Sequence, residues 1–289
     1  MMEDPFVAHR GLLFTVAYEM LGSATEAEDV LQESWLRWAG VDHTRVQDAR
    51  AYLVRIVTRQ ALNHRRTLAR SREAYVGEWL PEPLLTSPDV AEDVELSESV
   101  SIAMLTVLET LGPAERAVFV RREVFDMPYG EIAEAVGKST AAVRQIARRA
   151  RDHVAARRPR VRVSRSEQRA VVERFLVALR TGQVQDLMDV MAPDVVLIAD
   201  GGGVAAAARA PIHGPELVAR VLAGANRQVA GYETATVWLN GAPAVRIESG
   251  GTLLSAVSFA VENGPVSRIY LMRNPHKLTR LDAPSELTR

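Results

Sequence analysis

Over residues 1–72 apolar side chains recur at steps of three and four, the spacing that returns them to one face of an α-helix. The pattern predicts a first helix opened by Asp4 and Pro5 and stopped at Gly22. Thr25 followed by Glu28 predicts a capping box for a second helix. There Ala27, Val30, Leu31, Trp35 and Trp38 form the buried stripe, leaving Glu28, Asp29, Gln32, Glu33 and Arg37 on other faces before Gly40. A third helix opens at Asp48 and runs to about Arg70, with Leu53, Ile56, Val57 and Ala61 inward. Arg55, Arg59, Asn63, Arg66 and Arg70 fall on a separate, basic stripe with Tyr52 beside it.

Residues 73–96 carry Pro81, Pro83 and Pro88 among many acids and read as a linker without regular helix. Helical periodicity resumes at Val100, Met104, Val107, Leu108 and Leu111, is cut by Gly112-Pro113, and continues through Ala117, Val120 and Val124. Two short helices follow. The first starts near Pro128, buries Ile132, Ala133 and Val136, and stops at Gly137; the second is capped by Ser139 and buries Val143, Ile146, Ala147, Ala150 and Val154. From about Ser166 the texture changes: a helix ending at Gly182, a buried strand at 195–199, a glycine-rich turn at 200–203, a helix near 215–222, then strands joined at Asn240-Gly241, Ser249-Gly250-Gly251 and Asn263-Gly264. Helices first and an antiparallel meander afterwards predict an α+β domain. The expected division is a helical bundle over 1–72, the linker over 73–96, a helix-turn-helix domain over 97–160 and the α+β domain over 161–289.

Composition narrows the chemistry. A length of 289 residues favours two or three compact units, and no apolar run is long enough to cross a bilayer. The start, acidic and then broken by Pro5, has the wrong order for a secretory signal. With no cysteine, disulfides, thiolate metal sites and cysteine nucleophiles are excluded, and a cytoplasmic location fits. His9, His43, His64, His153, His213 and His276 lack zinc spacing, and the phosphate-loop and dinucleotide fingerprints are absent, so neither metal nor cofactor is expected. The net charge of -1 hides a segregation. Acids occupy 73–115 without a Lys or Arg, whereas 138–165 holds Lys138 and nine arginines against a lone Asp152. The first segment repels phosphate; the second attracts it.

That basic block coincides with the two short helices. A tight turn containing Gly137 is what a helix-turn-helix requires, and its second helix enters the major groove. Ser139 and Thr140 open that helix, while Arg144, Gln145, Arg148 and Arg149 face away from its apolar stripe; Arg and Gln pair bidentately with guanine and adenine edges. The bland alternative is a helical hairpin with a solvated basic face; the turn, the cap and the run of arginines together favour DNA binding over it. For the Arg55, Arg59, Asn63 and Arg66 stripe the alternatives stay open between a solvated face and a groove that tracks single-stranded DNA with Tyr52 stacking on a base.

TEAEDVLQESWLRW at 25–38, ARAYLVRIVTRQALNHRR at 49–66 and LGPAERAVFVRREVFDMPYGEIAEAVGKSTAAVRQIARRAR at 111–151 resemble regions two and four of the extracytoplasmic-function sigma factors. The resemblance implies a sigma factor that binds core RNA polymerase through its β and β′ subunits and directs initiation at promoter DNA. Asp29, Gln32 and Glu33 then dock on the clamp helices of the largest subunit, Tyr52, Arg55, Arg59, Asn63 and Arg66 with the 40–48 loop capture the melted minus-ten strand, and residues 139–149 read the minus-thirty-five duplex.

WLPEPLLT at 79–86, DGGG at 200–203 and NPHKL at 274–278 further resemble the SigJ-like subgroup, whose carboxy-terminal SnoaL-like extension has the cone-shaped NTF2-like fold and regulates the sigma domains. Trp79, Leu80, Pro81, Asp200, Gly201, Gly202, Asn274, Pro275, Lys277 and Leu278 are the regulatory contacts this implies, and here the glycines continue with Val204 and AAAARA rather than the subgroup's usual lysine. Relatives of the cone catalyse cyclisation or isomerisation, so Asp194, Asp200, His213, Tyr232 and His276 are its candidate acids and bases. Regulation is favoured over an enzyme tethered to DNA, since Asp200 before three glycines reads as a closely packed loop. Whether the cone takes a small ligand stays open.

Overall fold

The computed structural model describes residues 4–158, 163–228 and 231–289, without the side chains of 69–73 and 226–228; Arg160, Arg162 and the Arg70 side chain of the basic stripe lie outside the described residues. Helices α1 (Pro5–Ala8) and α2 (Arg10–Leu21) begin as expected, the Asp4 carboxylate accepting from the Phe6 N–H at 2.8 Å and Gly22 ending α2 at φ 71°. Helix α3 (Ala24–Ala39) is capped by Ser23, not Thr25. The reason lies 58 residues away: Glu82 accepts from the Ala24 N–H at 2.9 Å and the Thr25 N–H at 3.2 Å, so Thr25 sits inside the first turn. Trp38 is buried, but Trp35 is 45% exposed, because α3 turns Ala24, Ala27, Val30, Leu31, Ser34 and Trp38 toward its neighbours. Helix α4 (Ala49–Glu73) is capped by Asp48, with Leu53, Val57 and Ala61 buried as the periodicity predicts.

The linker departs most from its reading. Helices α5 (Pro88–Glu92) and α6 (Val94–Ser99) lie within or across its end, Pro88 serving as a first helical residue instead of a breaker. Pro81, Glu82, Pro83 and Leu84 are buried, because the segment is clamped between the helical bundle and the sheet. Then come α7 (Ile102–Glu109), α8 (Pro113–Phe119), a π turn (Val120–Val124), α9 (Tyr129–Val136) and α10 (Thr140–Arg157). One buried cluster runs from Phe6 through Val57 and Leu105 to Val154, so the two helical domains share a core.

The remaining chain forms α11 (Arg165–Thr181), α12 (Val184–Asp189), β1 (Met191–Asp200), β2 (Ile212–His213), α13 (Pro215–Gln228), β3 (Tyr232–Leu239), β4 (Ala242–Ser249), β5 (Thr252–Val261) and β6 (Val266–Met272). The sheet order is β2-β1-β6-β5-β4-β3. Strands β3 to β6 are the expected antiparallel meander, but β1 pairs β6 in parallel, which only a long crossover permits and which α13 with the meander provides. Both faces of this sheet are apolar. Val195, Leu197, Val257 and Ile269 meet the helices, whereas Ala244, Ala256, Tyr270 and Met272 meet Leu80 of the linker and Ile102 of α7. The second face seats the α+β domain on the helical half. No helix among the described residues is long and apolar enough to cross a membrane.

Candidate functional site

The helix-turn-helix forms where its punctuation predicts. Gly137 ends α9 in the left-handed region at φ 68°, and the Ser139 hydroxyl accepts from the Ala142 N–H at 3.2 Å to start α10. Val143, Ile146, Ala147, Ala150 and Val154 are buried against the rest of the domain, and this leaves Ser139, Arg144, Gln145, Arg148 and Arg149 exposed and Thr140 half-buried. The Arg144 guanidinium lies 5.8 Å and that of Arg122 4.9 Å from the Tyr129 ring, which orients both cations at the helix entrance.

On α4 the side chains of Arg55, Arg59, Asn63 and Arg66 are exposed along one stripe. Tyr52 packs on Trp38 at 5.9 Å between ring centroids, and the Arg55 guanidinium sits 5.0 Å from the Tyr52 ring. Arg55 also pairs with Glu134 of α9 at 3.4 Å. The first helix of the helix-turn-helix is therefore seated against the basic stripe of α4. Deeper between these two domains, Arg65 of α4 donates to Glu109 at 3.2 Å and to the Leu111 carbonyl at 3.4 Å, and Arg116 of α8 donates to the Glu19 carbonyl at 2.7 Å and to Glu109.

Asp29, Gln32 and Glu33 are exposed on α3. Beside them stand Trp35 and Leu36, the latter 61% exposed, an apolar pair on a polar helix. The periodicity contained that signal: Leu36 never belonged to the inward stripe.

WLPEPLLT, DGGG and NPHKL converge. The fully buried Asp200 carboxylate accepts from the Tyr75 hydroxyl at 2.6 Å, the Leu80 N–H at 2.9 Å, the Gly202 N–H at 3.0 Å and Lys277 Nζ at 2.7 Å. Lys277 also donates to the Leu80 carbonyl at 2.5 Å and lies 3.9 Å from the centroid of the Trp79 ring. Burial, together with the bond to Asp200, pushes the Tyr75 phenol well above its ordinary pKa and keeps it a donor. Asn274 donates to Tyr75 at 2.8 Å, and a Cβ on Gly202 would lie 2.3 Å from the Asn274 amide nitrogen; one on Gly201 would lie 2.2 Å from the Ala205 carbonyl. Both glycines are required by close approach. Pro81 and Leu278 are buried here, while Pro275 is exposed.

Three further contacts escape sequence reasoning. Asn240, at φ 53° on the β3–β4 turn, accepts from the Leu84 N–H at 2.9 Å and donates to the Tyr18 hydroxyl at 2.7 Å and the Val100 carbonyl at 2.8 Å. One amide thus ties the sheet to the bundle, the linker and the approach to α7. Glu82 caps α3 as described above. The carboxy-terminal residues cross the bundle: the Ser285 N–H bonds the Leu85 carbonyl at 2.8 Å, the Thr288 N–H bonds the Thr15 hydroxyl at 3.1 Å, Leu287 is buried in the helical core, and Arg289 pairs with Asp93 at 3.0 Å.

The polar groups named for catalysis fall in different surroundings. Asp200 belongs to the seam, Asp194, His213 and His276 are exposed, and Tyr232 alone among them lines the cone's apolar hollow.

Comparison with known proteins gives this geometry a family. Residues 6–71 match the model of sigma-70 region 2, and residues 101–154 match that of sigma-70 region 4. The ECF RNA polymerase sigma factor SigJ of Mycobacterium tuberculosis is 37% identical over 223 residues, covering 76% of this chain and 71% of that protein. A probable ECF RNA polymerase sigma factor, SigI of the same organism, is 30% identical over 279 residues, covering 96% and 94%. The crystal structure of the M. tuberculosis extracytoplasmic function sigma factor SigJ superposes with a TM-score of 0.78 at 31% identity, over 96% of this chain and 98% of that one. The chain belongs to the extracytoplasmic-function RNA polymerase sigma factors.

Proposed function

We propose that this sigma factor directs promoter-specific initiation by core RNA polymerase, and that the arrangement described above is its closed state, held shut by the cone. Its work is recognition rather than bond making. Asp29, Gln32 and Glu33, flanked by exposed Trp35 and Leu36, suit a docking surface for a β′ clamp helix, an apolar centre within a polar rim. Arg144, Gln145, Arg148 and Arg149 read the minus-thirty-five duplex; Arg55, Arg59, Asn63 and Arg66 follow the minus-ten strand beside Tyr52. Phosphate neutralisation supplies salt-dependent affinity and the base contacts supply selection.

The observation that carries the closed-state reading is the Arg55–Glu134 contact at 3.4 Å. Elements named for positions minus ten and minus thirty-five are about 25 base pairs, or roughly 85 Å, apart on straight duplex at about 3.4 Å per pair. A domain the size of region 4 is only about 25 Å across. Region 4 must therefore leave α4 before both elements are engaged, and the seam residues from Trp79 to Leu278 resist that departure. The test is run-off transcription with purified chain and core polymerase on a promoter library. Initiation at a defined promoter, weakened by Arg144→Ala and Arg148→Ala and altered by deletion of residues after about 275, is expected; insensitivity to all three overturns the reading.

A further inference from the structure

On the helix-covered side of the sheet the cone holds an open-mouthed hollow of about 210 Å³ with walls from α11, α13 and β3 to β6. The wall is apolar except at Tyr232, Ser255 and Arg273. Alternation along β6 explains how an arginine comes to be there: Ile269, Leu271 and Arg273 line the hollow, while Tyr270 and Met272 pack on the linker side. Arg273 is half-buried, so it brings a positive charge to the partly solvated edge of an otherwise apolar hollow. That charge is not used internally. The Arg273 guanidinium donates to the Ala206 carbonyl, and no carboxylate of the described residues pairs with it. A guanidinium carries five N–H donors in a fork that matches a carboxylate, so one carbonyl leaves most of that capacity unspent.

We propose that this hollow binds a small apolar carboxylate, its hydrocarbon body among the α11, α13 and strand side chains and its carboxylate on Arg273. Size follows from volume: at about 30 Å³ for each water-sized group, the hollow holds a body of roughly seven such groups. The placement makes occupancy visible to the rest of the molecule, because the backbone N–H groups of Arg273 and its neighbour Asn274 both donate to the Asp200 carbonyl, at 2.7 and 2.9 Å.

The test is calorimetric titration of the full chain with heptanoate and with heptan-1-ol, which share a seven-carbon body and differ in charge. Heptanoate is expected to bind at least tenfold more tightly, because its carboxylate forms a charge-assisted pair with the Arg273 guanidinium and the alcohol does not. Arg273→Met should bring heptanoate down to the affinity of the alcohol, and Ala225→Leu, which narrows the hollow from α13, should weaken both. Absence of binding by the native chain, equal affinity for the two probes, or heptanoate affinity unchanged in Arg273→Met overturns the proposal. Binding is read directly, so the result stands apart from whether the cone holds the sigma domains closed.

Discussion

Replacing Asn240 with glycine removes the side chain that joins three parts of the chain and disturbs little else. Glycine accepts the φ of 53° at this position without strain, and the following Gly241 at φ 71° keeps the two-residue turn intact. Lost are the bonds to the Leu84 N–H, the Tyr18 hydroxyl and the Val100 carbonyl. At about 1 kcal/mol net for each buried hydrogen bond, the closed arrangement loses about 3 kcal/mol. At about 1.36 kcal/mol per decade, that is roughly a 150-fold shift toward the open form. Tyr18 retains its donation to the Glu82 carbonyl at 2.7 Å, so the bundle core stays anchored. Hydrogen exchange read at the Thr86 amide, which bonds the Trp238 carbonyl of the sheet at 2.9 Å and not the deleted side chain, measures the shift together with the scattering radius of the free chain. Asn263→Gly is the control, an exposed turn residue at φ 54° in another hairpin. If Asn240→Gly leaves Thr86 exchange and the radius where Asn263→Gly leaves them, the clasp does not hold the domains and the reasoning fails.

Arg144→Ala should cost about 1–3 kcal/mol on the cognate promoter and relax selection at one base pair, whereas Arg59→Ala should weaken all sequences alike and lower the salt slope by about one, both read by binding titrations across ionic strength. Stability should fall as pH rises from 5 to 8: burial raises Glu19 to about 8, so its stabilisation is complete below the ordinary carboxylate value and is lost through about 8, and Glu19→Gln should flatten the dependence of the thermal midpoint on pH. Gly202→Ala, at φ 62° and with its Cβ 2.3 Å from Asn274, should lower the thermal midpoint and speed exchange at the Leu80 amide, whereas Gly224→Ala, which meets nothing within 4 Å, should not.

Local order was legible along the chain because it is local. Gly22, Gly137 and Ser139 punctuate helices through their own backbone and side-chain chemistry, and the three-four spacing from Val143 to Val154 fixes which face of α10 is left for Arg144 and Arg148. The Asn240-Gly241 turn was legible for the same reason, but only as a turn. What the spacing does not encode is the partner. Thr25 yields the cap position to Ser23 because a carboxylate 57 residues away bonds its N–H; Trp35 stands in solvent because its neighbours cover only the opposite side of α3; the proline-rich linker is buried because both the bundle and an apolar sheet face press on it. A hydrogen bond from Asn240 to Tyr18 spans 222 residues, and nothing within a helical turn or a strand pair records it. Periodicity and capping are set by neighbours in the chain and so belong to the sequence alone, whereas the seam around Asp200 and the contact of Arg55 with Glu134 arise from surfaces meeting across the fold, which only the tertiary structure decides.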